Sequence, residues 1–155
     1  MTDKPHILIV EARFYEHIAD ELKRGAIAAL EAADVTYDCV AVPGAFEIPA
    51  AIKFTIRCHD FYSGQRRFDG YVALGCVIRG ETSHYDYVCG ESARKLQDLA
   101  VDHSLALGYG ILTCENEAQA MARAAVDGKD KGGDVARACL RMLDVKRQFH
   151  LFPRQ

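Results

Sequence analysis

The sequence predicts an α/β fold: a single domain over residues 1–155, built as a three-layer α/β/α sandwich around a four-stranded parallel sheet. Short apolar runs rich in Val and Ile alternate with longer segments whose apolar residues recur every three or four positions. Each connection between predicted strands is long enough for a helical crossover, which parallel strands require. Half of the 155 residues are hydrophobic, enough for one substantial core.

The first predicted unit is a strand followed by an amphipathic helix. Ile7 to Val10 is a short apolar run, which is typical of a buried strand. The segment after it has apolar residues at helical spacing, on a face that would pack against the sheet. These residues are Ile18, Leu22, Ala26, Ala29 and Ala33.

The second unit begins with Val35 to Val42, a strand rich in β-branched residues that ends at a Pro-Gly turn. A helical pattern resumes from Ile48 to Cys58, with Pro49 in its first turn, where the missing N–H costs nothing. The polar segment from His59 to Asp69 is predicted to be a loop or an extension of that helix.

The third predicted strand, Tyr71 to Ile78, is almost wholly apolar, as strands buried on both faces of a parallel sheet are. Apolar residues three or four positions apart predict a helix after it, and His103 falls on this stripe. We expect His103 to be a core or subunit-contact histidine rather than a ligand. The stripe comprises Val88, Ser92, Leu96, Leu99, His103 and Leu107.

The C-terminal part is predicted to contain a fourth strand, Tyr109 to Cys114, and a short helix from about Glu115 to Ala125. Gly128, Gly132 and Gly133 would then interrupt the chain before a last amphipathic helix. The apolar residues of that helix are Val135, Cys139, Met142 and Val145. The order β-α-β-α-β-α-β-α-α and the chain length are those of a flavodoxin-like fold.

Composition narrows the function classes. The net charge of −3 argues against a general nucleic-acid surface, which needs a concentrated basic excess. No apolar run approaches the roughly 20 residues that span a bilayer, and a strand follows the N-terminus directly, so we expect no membrane span, no signal peptide and a cytoplasmic location. The six cysteines form no CxxC pair and are expected to be mostly small buried hydrophobes, with neither a disulfide framework nor a zinc site.

The carboxyl ends of parallel strands meet at one edge of a sheet, so the loops that follow them are expected to form one site. Phe14 follows the first strand, where its ring would either stack on a flat heterocycle or pack into the core. Glu47 follows the Pro-Gly turn after the second strand. Its carboxylate would either hold hydroxyl groups of a polar ligand or complement a helix N-terminus.

The loop after the third strand has the densest set of polar groups. Thr82 and Ser83 offer hydroxyls and free amides at a helix start, where a phosphate is stabilised. Alternatively, Ser83 and Asp86 form a variant of the capping box. His84 beside them carries an imidazole that titrates near neutrality, as general acid/base catalysis requires.

Two basic residues further along the chain are candidates for the same anion. The guanidinium of Arg123 would bind a phosphate with two hydrogen bonds, or would simply be solvated; Lys131 is a weaker candidate of the same kind. The chain has no dinucleotide-binding or P-loop glycine motif and no HExxH or clustered metal-ligand set. An anion site would therefore be assembled from separate loops, without a metal.

Several long motifs occur in order and resemble the 6,7-dimethyl-8-ribityllumazine synthase family. They are ARF at 12–14, VPGAFEIP at 42–49, LGCVIRGETSHYDYVC at 74–89, GILTCEN at 110–116 and KGGDVARACL at 131–140. The resemblance implies the penultimate step of riboflavin biosynthesis. In it, 5-amino-6-(D-ribitylamino)uracil condenses with 3,4-dihydroxy-2-butanone 4-phosphate, with loss of phosphate and water. It also implies homopentamers with active sites between adjacent subunits, and no metal or organic cofactor.

By position, the resemblance implies a role for each candidate residue. Phe14 would stack on the pyrimidine and His84 would transfer protons. The residues that would hold the ribityl chain are Ala45, Phe46 and Glu47, and those that would line the pyrimidine pocket with backbone groups are Cys76, Val77 and Ile78. The residues that would bind the phosphate substrate are Glu81, Thr82 and Arg123, with Lys131 nearby. Tyr109 would come from the neighbouring subunit.

Some positions depart from the family's common pattern. Tyr15 stands where Asn is frequent, Cys76 where Thr is common, and Tyr109 where Phe is usual, and none of these changes removes a group that the reaction requires. Arg79 receives no catalytic role, and we expect it in a structural ion pair or a subunit contact. A module that binds flavin or lumazine without turnover and a structural shell are the alternative functions. Pentamer, decamer and sixty-subunit shell stay open.

Overall fold

The computed structural model of the chain describes residues 4–62, 64 and 67–154. Its strands are β1 (His6–Ala12), β2 (Thr36–Val42), β3 (Gly70–Ile78) and β4 (Ala106–Cys114). Its helices are α1 (Glu16–Ala32), α2 (Ile48–Phe61), α3 (His84–Asp102), α4 (Glu117–Ala124) and α5 (Lys131–Gln148), with a 3₁₀ turn at Ala45–Glu47. Ser63, Gln65 and Arg66, in the predicted loop from His59 to Asp69, lie outside the described residues, as do the three residues before Lys4.

The four strands form one parallel sheet in the order β2-β1-β3-β4. The predicted α/β fold class, with a flavodoxin-like four-stranded parallel sheet between two layers of helices, is confirmed. Ile7 and Ile9 of β1 pack toward α1 and α5, whereas Leu8 and Val10 pack toward α2 and α3. β1 is therefore buried on both faces, because alternate side chains of a strand point to opposite sides.

β2 is one of the two edge strands of the sheet, and β4 is the other. Four of its consecutive residues, Asp38, Cys39, Val40 and Ala41, are exposed, although the segment has the β-branched composition of a strand. Of the six free cysteines, Cys114 and Cys139 are buried, Cys58, Cys76 and Cys89 are half-buried, and Cys39 is exposed. The prediction that they are mostly buried is therefore confirmed only for Cys114 and Cys139. Within the described part of the chain, no helix is both long and apolar enough to cross a membrane.

The boundary between α3 and β4 differs from the sequence-based prediction. α3 ends at Asp102, and the chain turns at Ser104, which has a left-handed φ of 53°. His103 is exposed and its Nε2 lies 3.1 Å from Lys53 Nζ, so the prediction that it lies on the apolar stripe is wrong. Leu107 belongs to β4. Its position four residues after His103 imitates helical spacing across a turn.

Gly132 and Gly133 lie inside α5, so the prediction that they interrupt the chain before this helix is wrong. The helix begins at the cap residue Asp130, whose carboxylate accepts a hydrogen bond from the Gly133 amide. A Cβ atom added at Gly132 would lie 2.0 Å from the carbonyl oxygen of Leu22 in α1. Glycine is present there because the backbones of α1 and α5 approach each other too closely for a side chain.

Gly108 of β4 makes a similar close contact, and its replacement is a test of the packing. A Cβ atom at Gly108 would lie 2.1 Å from the carbonyl oxygen of Val135, so α5 must move away from the sheet. We expect Gly108→Ala to lower the free energy of unfolding by about 3 kcal/mol, measured by urea denaturation at fixed protein concentration.

Gly75→Ala is the matched control, because Gly75 lies in β3, the strand that pairs with β4. Its added Cβ would meet the nearest atom, Ala12 Cβ, at 3.5 Å, an ordinary van der Waals contact. We expect Gly75→Ala to raise the free energy of unfolding by up to about 1 kcal/mol through the unfolded state. Equal losses for the two variants would contradict the close packing of α5 on β4.

Candidate functional site

The segments that follow β1, β2 and β3 enclose a pocket of about 540 Å³ at the carboxyl edge of the sheet. Small-molecule sites usually lie in this size range and at this edge. The predicted site residues that line it are Phe14, Ala45, Phe46, Glu47, Cys76, Val77, Ile78 and His84. The other residues of its wall are Tyr15, Pro43, Gly44, Tyr87 and Val88.

Phe14 lies between β1 and α1 and is 76% exposed, which excludes the alternative that it packs into the core. Its ring meets the ring of Tyr15 edge to face, with 4.9 Å between the centroids. Tyr15 instead packs partly against the core beside α1. One face of the pocket thus presents an aromatic ring with free surface, as stacking on a flat heterocycle requires.

The turn after β2 places a carboxylate at the pocket. Ala45 is buried and anchors the 3₁₀ turn, in which the Glu47 amide donates to the Gly44 carbonyl oxygen at 3.1 Å. Phe46 and Glu47 are exposed. The side chain of Glu47 makes no capping hydrogen bond to α2, so the helix-complement alternative has no hydrogen bond to support it. Its oxygens are available to accept hydrogen bonds from ligand hydroxyls.

The last residues of β3 offer backbone groups on one side. β3 pairs with β1 only as far as Leu74, whereas its pairing with β4 continues to Ile78. The segment Cys76–Ile78 therefore has a strand neighbour on the β4 side, and those of its residues whose backbone groups face the β1 side are open toward the pocket. In a parallel ladder these N–H and C=O groups would otherwise be paired, so they are suited to the polar edge of a heterocycle.

The Cys76 thiol itself is not a reactive group. Burial raises its pKa to about 12, and the nearby thiol of Cys114 and carboxylate of Glu117 act in the same direction. The thiol is therefore protonated at neutral pH, and only a thiolate is an effective nucleophile.

The loop between β3 and α3 is open to solvent. Glu81, Thr82, Ser83 and His84 are all exposed, and the His84 amide donates to Thr82 Oγ1 at 3.3 Å. Ser83 is the N-cap of α3, but its side chain makes no capping hydrogen bond, so the capping-box alternative is wrong. The first amides of a long helix thus lie next to the His84 imidazole, and the positive end of the helix favours an anion there.

Arg79 holds this loop to the loop after β4. Its Nε lies 3.0 Å from Glu115 Oε2, its Nη1 lies 3.5 Å from Asp86 Oδ1, and its guanidinium lies 4.2 Å above the centroid of the Tyr85 ring. The expected structural ion pair of Arg79 is therefore confirmed.

Tyr87 is a pocket residue that the sequence reasoning missed. It is 69% exposed and lies three residues after His84, so the two side chains share one face of α3. That spacing is visible in the sequence once the start of α3 is known.

The family model of 6,7-dimethyl-8-ribityllumazine synthase matches residues 4–147. The chain is 54% identical over 149 residues to a protein of that name from Bartonella tribocorum, and the alignment covers 96% of this chain and 95% of the relative. It is 56% identical to one from Agrobacterium fabrum, covering 94% of this chain and 97% of the relative. A relative from Rhizobium meliloti, named 6,7-dimethyl-8-ribityllumazine synthase 1, is 59% identical, with 92% of both chains covered.

The chain belongs to the 6,7-dimethyl-8-ribityllumazine synthase family.

Membership of the lumazine synthase family confirms the predicted enzyme, of the transferase kind, and the predicted condensation step of riboflavin biosynthesis. The substrates are small molecules, for which the pocket has a suitable size. The described residues contain no group of three or more His, Cys, Asp or Glu that could hold a metal ion.

The remaining predicted residues do not line this pocket. Glu81 and Thr82 lie three and two residues before His84, in the exposed loop between β3 and α3. Tyr109 is in β4 and 38% exposed, and Arg123 is in α4, where its Nη1 donates to the Gln119 carbonyl oxygen at 3.0 Å. Lys131 begins α5, on the face of the sheet that α1 also covers. The loops of one chain therefore bring together the residues proposed for the pyrimidine, but not all of those proposed for the phosphate.

The state of the Cys76 thiol leads to a kinetic test in this enzyme. Because the thiol is protonated at neutral pH, we expect Cys76→Ala to leave kcat within about threefold of wild type, with the backbone of β3 unchanged. The rate of lumazine formation, followed by absorbance, measures this. A loss of about a hundredfold or more, as removal of a general acid/base produces, would contradict an inert thiol.

Proposed function

We propose that the pocket at the carboxyl edge is the site where the ribitylaminouracil and the butanone phosphate condense. The observation that carries this proposal is that one pocket combines the exposed ring of Phe14, the carboxylate of Glu47 and the imidazole of His84. The Glu47 carboxylate makes no capping hydrogen bond to α2. The three side chains supply a stacking group, a hydroxyl acceptor and a proton-transfer group, each suited to a different part of the reaction.

The pyrimidine substrate occupies the part of the pocket formed by β1, β2 and β3. Its ring stacks on Phe14, and the open backbone groups of Cys76, Val77 and Ile78 bond its polar edge. The ribityl chain extends toward the turn after β2, where Glu47 accepts hydrogen bonds from its hydroxyls and Ala45 and Phe46 contribute backbone groups.

The phosphate substrate lies at the start of α3. Thr82 offers a hydroxyl, and the first helix amides offer N–H groups that favour an anion. Glu81 lies beside them, and Arg123 supplies the guanidinium that offsets charge on the departing phosphate. Lys131 is placed near the same group.

His84 moves the protons. Imine formation and phosphate elimination transfer protons among nitrogen, carbon and oxygen, and an imidazole exchanges them near neutral pH. An amine and a ketone held side by side already react readily, so orientation of the two substrates supplies much of the acceleration. His84 therefore speeds the reaction without being indispensable.

The complete site lies between subunits of a homopentamer. Tyr109, Arg123 and Lys131 do not line the pocket of their own chain, so we place them at the pocket of an adjacent subunit. The exposed edge strand β2 and the partly exposed side chain of Tyr109 provide surface for contacts between subunits. The same proposal includes one domain over residues 1–155, acting in the cytoplasm.

Two variants test the division of roles within this site. We expect His84→Ala to lower kcat roughly ten- to a few hundred-fold. We expect Arg123→Ala mainly to raise the KM for the butanone phosphate about tenfold, because it loses a charge-assisted contact. Both are measured by lumazine absorbance with one substrate varied at a time.

Arg24→Ala is a control for the removal of an arginine. Arg24 lies on α1, where its exposed guanidinium pairs with Glu21, and we expect unchanged kinetic constants. Wild-type kinetics in both site variants would refute the proposed roles. Tight binding of a lumazine or flavin with no condensation by the wild-type chain would favour a binding module instead.

Mixing the two site variants tests whether the active site is shared. When His84→Ala and Arg123→Ala chains are co-expressed in equal amounts, a ring with shared sites regains about one quarter of its sites with both residues intact. With the butanone phosphate held well below its wild-type KM, where both parents are slow, the activity then exceeds the mean of the two parents. An activity equal to that mean would place both residues of a site in one chain. The pentamer itself is tested by sedimentation, which must show five chains per particle.

A further inference from the structure

A buried carboxylate lies outside the pocket and has no part in the proposed reaction. Glu11, in β1, is 2% exposed and pairs with two cations. Arg13 Nη1 lies 2.6 Å from its Oε1, and Lys23 Nζ lies 3.0 Å from its Oε2. Both carboxylate oxygens are thus paired, as a charge in the interior requires.

Arg13 is also bound at its other end. Its second terminal nitrogen, Nη2, pairs with the carboxylate of Asp20 on α1, so one guanidinium bridges β1 and α1. Its hydrogen bonds to Asp20 and Glu11 raise the pKa of Arg13 above its usual value. The planar fork of arginine can hold two carboxylates at once, which a lysine ammonium cannot do with the same geometry.

The residue directly after Arg13 is the pocket aromatic Phe14. Phe14 is 76% exposed and belongs to neither a strand nor a helix. Among the described residues, its ring contacts one other aromatic ring, that of Tyr15. The core therefore does not hold Phe14 in place, and its position depends on how the short segment between β1 and α1 is anchored.

We propose that Arg13 is a positioning residue, which clamps the segment between β1 and α1 through Glu11 and Asp20 and so holds the Phe14 ring against the pyrimidine substrate. This inference rests on the proposed role of Phe14 as the stacking residue. It adds that the stacking geometry depends on an ion-pair bridge made by the residue directly before Phe14.

Arg13→Met tests the clamp, because it keeps most of the apolar stem and removes both ion pairs. We expect the KM for the ribitylaminouracil to rise about fivefold to tenfold, since the stacking contact is misplaced. The kcat and the KM for the butanone phosphate should stay within about twofold of wild type. A merely structural loss would reduce the active fraction, and thus kcat, without separating the two KM values.

Lys23→Met is the matched control, because it removes the other cation from Glu11 but lies on α1, away from Phe14. We expect it to reduce thermal stability to a similar degree as Arg13→Met and to leave both KM values unchanged. An equal rise of the pyrimidine KM in Lys23→Met and Arg13→Met would overturn the proposal, since the effect would then follow the buried charge alone.

A double-mutant cycle with Phe14→Ala shows whether Arg13 acts through Phe14. Phe14→Ala alone should raise the pyrimidine KM, and Arg13→Met should add nothing in that background. Equal effects of Arg13→Met with and without the ring would overturn the proposal. If the pyrimidine KM is unchanged in Phe14→Ala, the stacking role is refuted and the clamp with it. If the pyrimidine KM rises in Phe14→Ala but not in Arg13→Met, only the clamp is overturned.

Asp20→Asn keeps the test decisive if Arg13→Met does not fold. The Asp20 side chain is 66% exposed and its loss leaves Glu11 fully paired, so the fold should be retained. We expect a smaller rise of the pyrimidine KM, about twofold to threefold, with the butanone phosphate KM unchanged. A pyrimidine KM equal to that of wild type in this variant would overturn the clamp.

Discussion

The parallel pairing of β1 with β3 is the interaction on which the pocket depends. From β1 the chain goes out to β2 on one side of the sheet and then crosses to β3 on the other, so the loops after β1 and β3 diverge and leave a crevice. The register deepens it, because the β1 pairing ends at Leu74 while β3 continues to Ile78. The segment Cys76–Ile78 can therefore meet a ligand with its backbone, and Phe14, directly after β1, stands across from it.

The order of the strands and helices could be predicted from the sequence because the apolar periodicity of each element is strong. The start of β4 could not, since Leu107 continues the helical spacing of α3 past a turn that depends on the left-handed backbone of Ser104. The glycines of α5 pose the opposite difficulty. Locally Gly132 and Gly133 are typical helix breakers, yet both are helical here. A Cβ atom at Gly133 would meet the cap side chain of Asp130, and one at Gly132 would meet the backbone of α1. The contact with α1 is tertiary and has no local signal.

The candidate site also has a part that could be predicted from the sequence and a part that could not. Phe14, Glu47, Cys76 and His84 could be predicted to meet because each follows or ends a strand, and parallel strands end together. The choice between alternatives at Phe14 and Ser83 needed exposure and hydrogen bonding, which composition does not contain. That Arg123 and Lys131 do not line the pocket of their own chain could not be predicted either, because the order of motifs along a sequence does not fix how far apart their side chains lie.

The protonation states of the groups around the pocket limit which side chains can transfer protons there. Burial raises the pKa of the Cys76 thiol to about 12 and also raises the pKa of the Tyr15 phenol above its usual value, so both stay protonated at neutral pH. Glu47 lies at the turn after β2, on the side assigned to the ribityl chain. In the proposed site, His84 is left at the junction of the two substrates, where imine formation and phosphate loss would occur. Because stacking, backbone contacts and helix amides in that proposed site hold both reactants without it, the loss of His84 would remove the proton relay but leave the alignment that makes the condensation fast.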